Sequence, residues 1–180
     1  MSKLIKVSIL TLLAYLLQAT VANPIAIGGV APNLAFALIA VATVALGRKY
    51  AFVMSMIVGY LLEIMLPALD YISLIAYPVC AMLGALFFSD KSERRLEEER
   101  TQGKRTTQLN PLLRTLLCAG LSTAVFEGVN LIYAFLGGVT IDGPHMARAV
   151  FSVVYTIALT GILQFPVRRW LGIHKLPKAR

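Results

Sequence analysis

Long apolar runs alternate with short polar gaps along this chain, at residues 4–22, 32–46, 50–66, 71–88, 112–136 and 146–167. A helix needs about 20 apolar residues, with a usual range of roughly 17–25, to cross the hydrocarbon core of a bilayer. The second run is short when counted from Pro32. The stretch before it is uncharged, so that helix can start as early as Ile25. The pattern predicts an all-α, polytopic membrane protein, a bundle of six transmembrane helices.

The gaps are not equivalent. Lys3 and Lys6 precede the first run, and Arg48 and Lys49 separate the second from the third. Lys91, Arg94, Arg95, Arg100, Lys104, Arg105 and Arg114 lie between the fourth and fifth. Arg168, Arg169, Lys175, Lys178 and Arg180 close the chain. The alternate gaps hold Asp70, Asp142 and His145, with Arg148 their only base. Short loops rich in Lys and Arg stay cytoplasmic, so both termini are predicted inside. A hydrophobic content of 58% agrees, since soluble domains hold about 45–50%. The net charge of +8 then reads as cytoplasmic flanks facing anionic lipid headgroups, not as a nucleic-acid surface. Residues 1–22 also have the outline of a signal peptide, with Thr20-Val21-Ala22 as a cleavage site. The charge alternation favours keeping them as the first helix.

One connection is long. Residues 89–110 form a charged cytoplasmic loop within what is otherwise a single integral membrane domain, 1–180. The pairs Arg94/Glu98 and Arg95/Glu99 favour a helical start to it. Asn110 then fits an N-cap with Pro111 at the first helical position. No P-loop, zinc-binding helix motif or nucleophile elbow occurs. Cys80 and Cys118 both lie within apolar runs and read as small packing residues. No enzyme, cofactor or metal centre is predicted.

Ionisable groups inside spans are costly, about 2.5–3.5 kcal/mol on insertion scales, so each asks for a reason. Glu63 ends the stripe Ala51, Ser55, Gly59 and Glu63, whose small residues let a neighbouring helix approach; near the outer interface, it can equally be an interfacial acid that reaches water. Glu127 shares a face with Thr123 and Asn130, about nine residues or roughly 13 Å from its helix end. Beside it runs the small-residue track Gly120, Ala124 and Gly128. Arg148 is the nearest cation by depth, and an ion pair with Glu127 or Glu63 is expected to hold the outer half together. Ser152, Thr156, Thr160 and Gln164 follow Arg148 at intervals of four, and Ser8, Thr11, Tyr15 and Gln18 mark the first helix. Such stripes can line a solute cavity or form interhelical hydrogen-bond seams; the seam is favoured.

Four short motifs carry a family resemblance. They are Leu17-Gln18, Ala31-Pro32-Asn33-Leu34, Val58-Gly59-Tyr60-Leu61-Leu62-Glu63 and the closing Gln164-Phe165-Pro166-Val167-Arg168-Arg169. In this order they resemble the rod shape-determining protein MreD family, with Glu63 standing where that family usually has Asp. The resemblance implies a non-enzymatic subunit of the bacterial cell-elongation machinery in the plasma membrane. Its implied partner is the bitopic MreC. Through it come the MreB filament, the RodA glycosyltransferase and a class B penicillin-binding protein. An alternative of similar architecture is the substrate-binding subunit of an energy-coupling-factor vitamin transporter. Against it, Ala14, Ala19 and Ala22 form no clean Ala-xxx-Ala docking motif.

Overall fold

The computed structural model of the chain describes residues 3–65, 72–88 and 109–172. The charged stretch 89–108, Asp70 and the last three bases lie outside them. Six α-helices are described: α1 Lys3–Leu16, α2 Leu34–Leu46, α3 Arg48–Met65, α4 Ile72–Phe88, α5 Pro111–Leu136 and α6 Gly143–Leu171. A π-helical turn, Leu17–Val21, prolongs α1. Among the described residues the only β pairing is the isolated bridge between Ile27 and Val30.

Three helical segments are long and apolar enough to cross a membrane: Leu4–Val21, Pro111–Leu136 and Gly143–Leu171. The apolar helices α2 and α4 are shorter, at 13 and 17 residues. Helix α3 has 18 residues but includes Arg48, Lys49 and Glu63.

Helix α2 is the axis of the bundle. It touches all five other helices, and every residue from Leu34 to Val44 is buried. Apolar side chains surround its whole circumference, as a helix without a solvent face requires. At 1.5 Å per residue it is about 20 Å long, short of the roughly 30 Å hydrocarbon core. The chain does not continue as helix back to Ile25. Instead Gly28 and Gly29, with φ of 61° and 77°, form a tight reverse turn closed by paired Ile27 and Val30 backbone bonds of 3.1 Å. Two successive residues at positive φ suit glycine and halt a helix there. At its other end α2 turns into α3 through the single residue Gly47, whose φ of 102° strongly disfavours side-chain-bearing residues.

Close helix approaches depend on glycine. A Cβ on Gly59 would lie 2.8 Å from the Ser73 carbonyl oxygen and 3.1 Å from Tyr77 Cβ, so α3 and α4 pack backbone to backbone. Ala51, Ser55, Gly59 and Glu63 are all buried along that helix. On Gly84 a Cβ would strike Ser122 Oγ, so α4 meets α5 equally closely. The Gly120 track is covered less than its spacing suggests. Gly120 does face α6, where a Cβ would lie 2.8 Å from Ile157 Cδ1, but Gly128 has open space beside it and Ala124 is exposed. Spacing of four puts residues on one face; only neighbouring helices decide how far that face is covered.

Bases stitch one end of the bundle. Arg114 is buried and donates to the Phe88 carbonyl at 2.7 Å from Nη2 and 3.2 Å from Nε. Arg48 reaches the Leu86 carbonyl at 3.2 Å, and Lys6 reaches Leu171 at 2.9 Å. Arg168 bonds the Pro111 carbonyl and Thr115 Oγ1, both at 2.8 Å. The carbonyls at Leu86, Phe88 and Leu171 belong to helix C-terminal turns, where the macrodipole favours cations. Asn110 caps α5 by accepting from Leu112 N–H at 3.0 Å, with Pro111 as first residue. Helix α1 joins the core through Val7, Leu10 and Ala14. Cys80 and Cys118 are free and buried.

Candidate functional site

Two polar clusters sit one above the other along α6. The first surrounds the start of α2. Pro32 is fully buried, and Asn33 is the N-cap, its Oδ1 accepting from Phe36 N–H at 3.1 Å. The Asn33 backbone N–H donates to Thr156 Oγ1 of α6 at 2.9 Å, and its Nδ2 donates to Tyr77 OH of α4 at 3.2 Å. Gln18, in the π-turn, accepts from Ala35 N–H at 3.2 Å. A helix N-terminus leaves four amides unpaired, and in an apolar interior each must be satisfied locally. Here the π-turn of α1, α4 and α6 each supply a side chain toward that end. Beneath it Phe36 stacks on Tyr77 at 4.7 Å, and Phe126 of α5 closes on both rings at 5.3 and 5.0 Å. Five helices therefore meet around Asn33. Helical spacing names Gln18, and the family resemblance names Pro32 and Asn33; neither singles out Tyr77, Phe36 or Phe126, which are ordinary members of apolar runs.

The second cluster lies about one turn further along α6, away from the basic end. Ser152 Oγ donates to Glu127 Oε1 at 2.6 Å. Glu127, Asn130, His145, Arg148 and Ser152 line a cavity of about 240 Å³, together with Leu131, Ala149 and a wall of residues 29–31 at the end of the reverse turn. Tyr155 OH fixes that wall by donating to the Ile25 carbonyl at 2.8 Å.

The expected Arg148 ion pair is absent among the described residues. Glu127 meets Ser152 instead, and Arg148 is an exposed member of the cavity lining. Glu63 is remote from that cavity: its Oε2 accepts from Ser73 N–H at 3.0 Å, at the start of α4. The physical reason is reach. For Glu63, depth along a helix fixes a level but not an azimuth, and it faces α4; Glu127 shares the cavity lining with Arg148, but its carboxylate is bonded by the nearer Ser152.

The α6 stripe of Ser152, Thr156, Thr160 and Gln164 is wholly buried. Ser152 and Thr156 bond other elements, whereas Thr160 returns to the Thr156 carbonyl at 2.7 Å and Gln164 to Gly161 at 3.3 Å. On α1, Thr11 bonds back to Val7 and Ser8 is exposed, so the contact of Gln18 with α2 is the interhelical bond of that set.

The architecture is thus an all-helical bundle with three helices of membrane-crossing length and composition, a sealed polar hub and an open polar cavity. No family model matches the chain, and neither the curated proteins nor the solved structures give a match.

Proposed function

We propose that this is a multi-pass protein of the bacterial plasma membrane, crossing six times with both termini cytoplasmic, and that it is a non-enzymatic scaffold of the cell-elongation machinery. The inverted surface supports the membrane reading. Leu12, Phe52, Ile75, Phe87, Ile132, Val150 and Ile162 are exposed, whereas Asn33, Thr43, Thr123 and Thr160 are buried. In water such a distribution costs stability; in lipid it is the favoured one. In this topology the second crossing combines the 22–33 segment with the short α2, and the stitched basic end faces the cytoplasm.

The observation that carries the scaffold reading is how the motif residues are used. Gln18, Asn33 and Glu63 each hold a helix start in place, so they build a rigid body rather than a reaction centre. That use accords with the resemblance to the MreD family, whose partner would be an MreC-type bitopic protein, with the RodA-type glycosyltransferase, class B penicillin-binding protein and MreB filament beyond it. Lateral apolar surfaces would carry the contact. Gentle extraction of the tagged protein, followed by mass spectrometry of what stays bound, tests this. A stoichiometric single-span partner with a large extracytoplasmic domain is expected.

The open cavity at Glu127 favours a second reading, the substrate-binding subunit of an energy-coupling-factor vitamin transporter. Recovery of ATPase subunits or a bound vitamin in the same experiment would replace the scaffold reading with it.

A further inference from the structure

Asn33 uses its backbone amide and both side-chain polar atoms within the hub, whereas Glu127 leaves acceptor capacity open to its cavity. A carboxylate offers about four lone-pair sites, and Ser152 occupies one of them at Oε1. Arg148 lies four residues before Ser152 on α6, so its backbone is one helical turn, about 6 Å, from that of Ser152. Its guanidinium carries five donors in a fork that matches a carboxylate. Asn130 adds an amide, donor and acceptor at once, on the same wall as Glu127. The opposite wall is built in advance, because the glycine turn is closed by its own backbone bonds and tied down by Tyr155. A pre-formed wall lowers the ordering cost of binding.

Charge and size together define the occupant. The half-buried acid in the lining disfavours an anion beside it, and the exposed base in the same lining disfavours a simple cation. A molecule carrying both charges complements both. The volume of about 240 Å³ falls below the roughly 300–1,000 Å³ typical of drug-sized ligands, so the occupant is of amino-acid size. We propose that this cavity is a binding site for a small zwitterion, an α-amino acid or close analogue, with its ammonium group on Glu127 and its carboxylate on Arg148. The site depends on neither reading of the molecule's assembly.

The test uses the full chain in lipid nanodiscs, incubated with an equimolar mixture of the standard L-amino acids and examined by native mass spectrometry. The wild type is expected to retain one amino acid and to ignore N-acetyl amino-acid amides, which lack both charges. Glu127→Gln keeps an oxygen for Ser152, and Arg148→Ala alters an exposed side chain, so both variants should fold. Each is expected to weaken retention at least about tenfold, while the lipid-facing Phe165→Ala binds as the wild type does. No adduct on the wild type overturns the proposal. So does an adduct kept by either charge variant, or one formed equally by the blocked amides. Partner capture is a separate readout, and a scaffold without this site would still yield its bitopic partner.

Discussion

The two polar clusters on α6 lie one turn apart and are built to opposite ends. At Thr156 the polar groups close on one another around the buried Asn33, with Gln18 and Tyr77 completing the set. At Ser152 the partner is an acid whose cavity opens past Arg148. The partner's burial is the difference, since Asn33 is buried and Glu127 only half-buried. A hydrogen bond in the sealed hub has no water to fall back on, so losing one partner strands the other. In the open cavity water can take the vacated position. The same residue types therefore hold the fold in one place and remain available to a ligand in the other.

Substitutions can break this contrast. Asn33→Ala removes the α2 cap and the Tyr77 bond together, and is expected to destabilise the bundle by about 2 kcal/mol, from roughly 1 for the cap and 0.6 for a membrane side-chain bond plus its stranded partner. Unfolding by SDS titration in mild detergent measures it; a loss under a few tenths would show that the hub is not what fixes α2. Thr156→Val keeps the shape and strands the Asn33 amide, at an expected cost of about 1 kcal/mol. Ser152→Ala should cost about 0.6 kcal/mol or less, because the cavity is open. If Ser152→Ala proved as damaging as Thr156→Val, the two clusters would not differ as described. Arg148→Ala should leave stability unchanged within about 0.5 kcal/mol, and a large loss there would restore the ion pair that the geometry removes.

The parts of this arrangement legible in the sequence share one property: their signal is local. Apolar runs bounded by bases locate the helices, Asn110-Pro111 marks the start of α5, and the four-residue spacing of Ser152 to Gln164 marks a buried face. What stays hidden depends on azimuth or on distant chain. Tyr77 looks like any aromatic in an apolar run, yet its hydroxyl meets a residue 44 positions away. Gly84 has no glycine four residues off, but it makes the close α4–α5 approach. The start of α2 is the subtler case. The Gly28-Gly29 pair is a turn signal, and the lack of charge around it masks that signal when hydropathy alone sets the boundary. The glutamates illustrate the limit from the other side: Glu127 needs a partner by its depth and Glu63, near the interface, could have met water alone, yet the partners prove to include a serine hydroxyl for Glu127 and a backbone amide for Glu63.

The central position of α2 also sets a timetable. Its Asn33 amide is satisfied by Thr156, made 123 residues later. At synthesis rates of about 5–20 residues per second, that is a delay of roughly 6–25 s. Until the last helix arrives, the middle of the molecule has a start it cannot seal. The nascent bundle therefore stays open to a chaperone, or to misassembly, while 123 of the 180 residues are made, and its centre is sealed only when α6 enters.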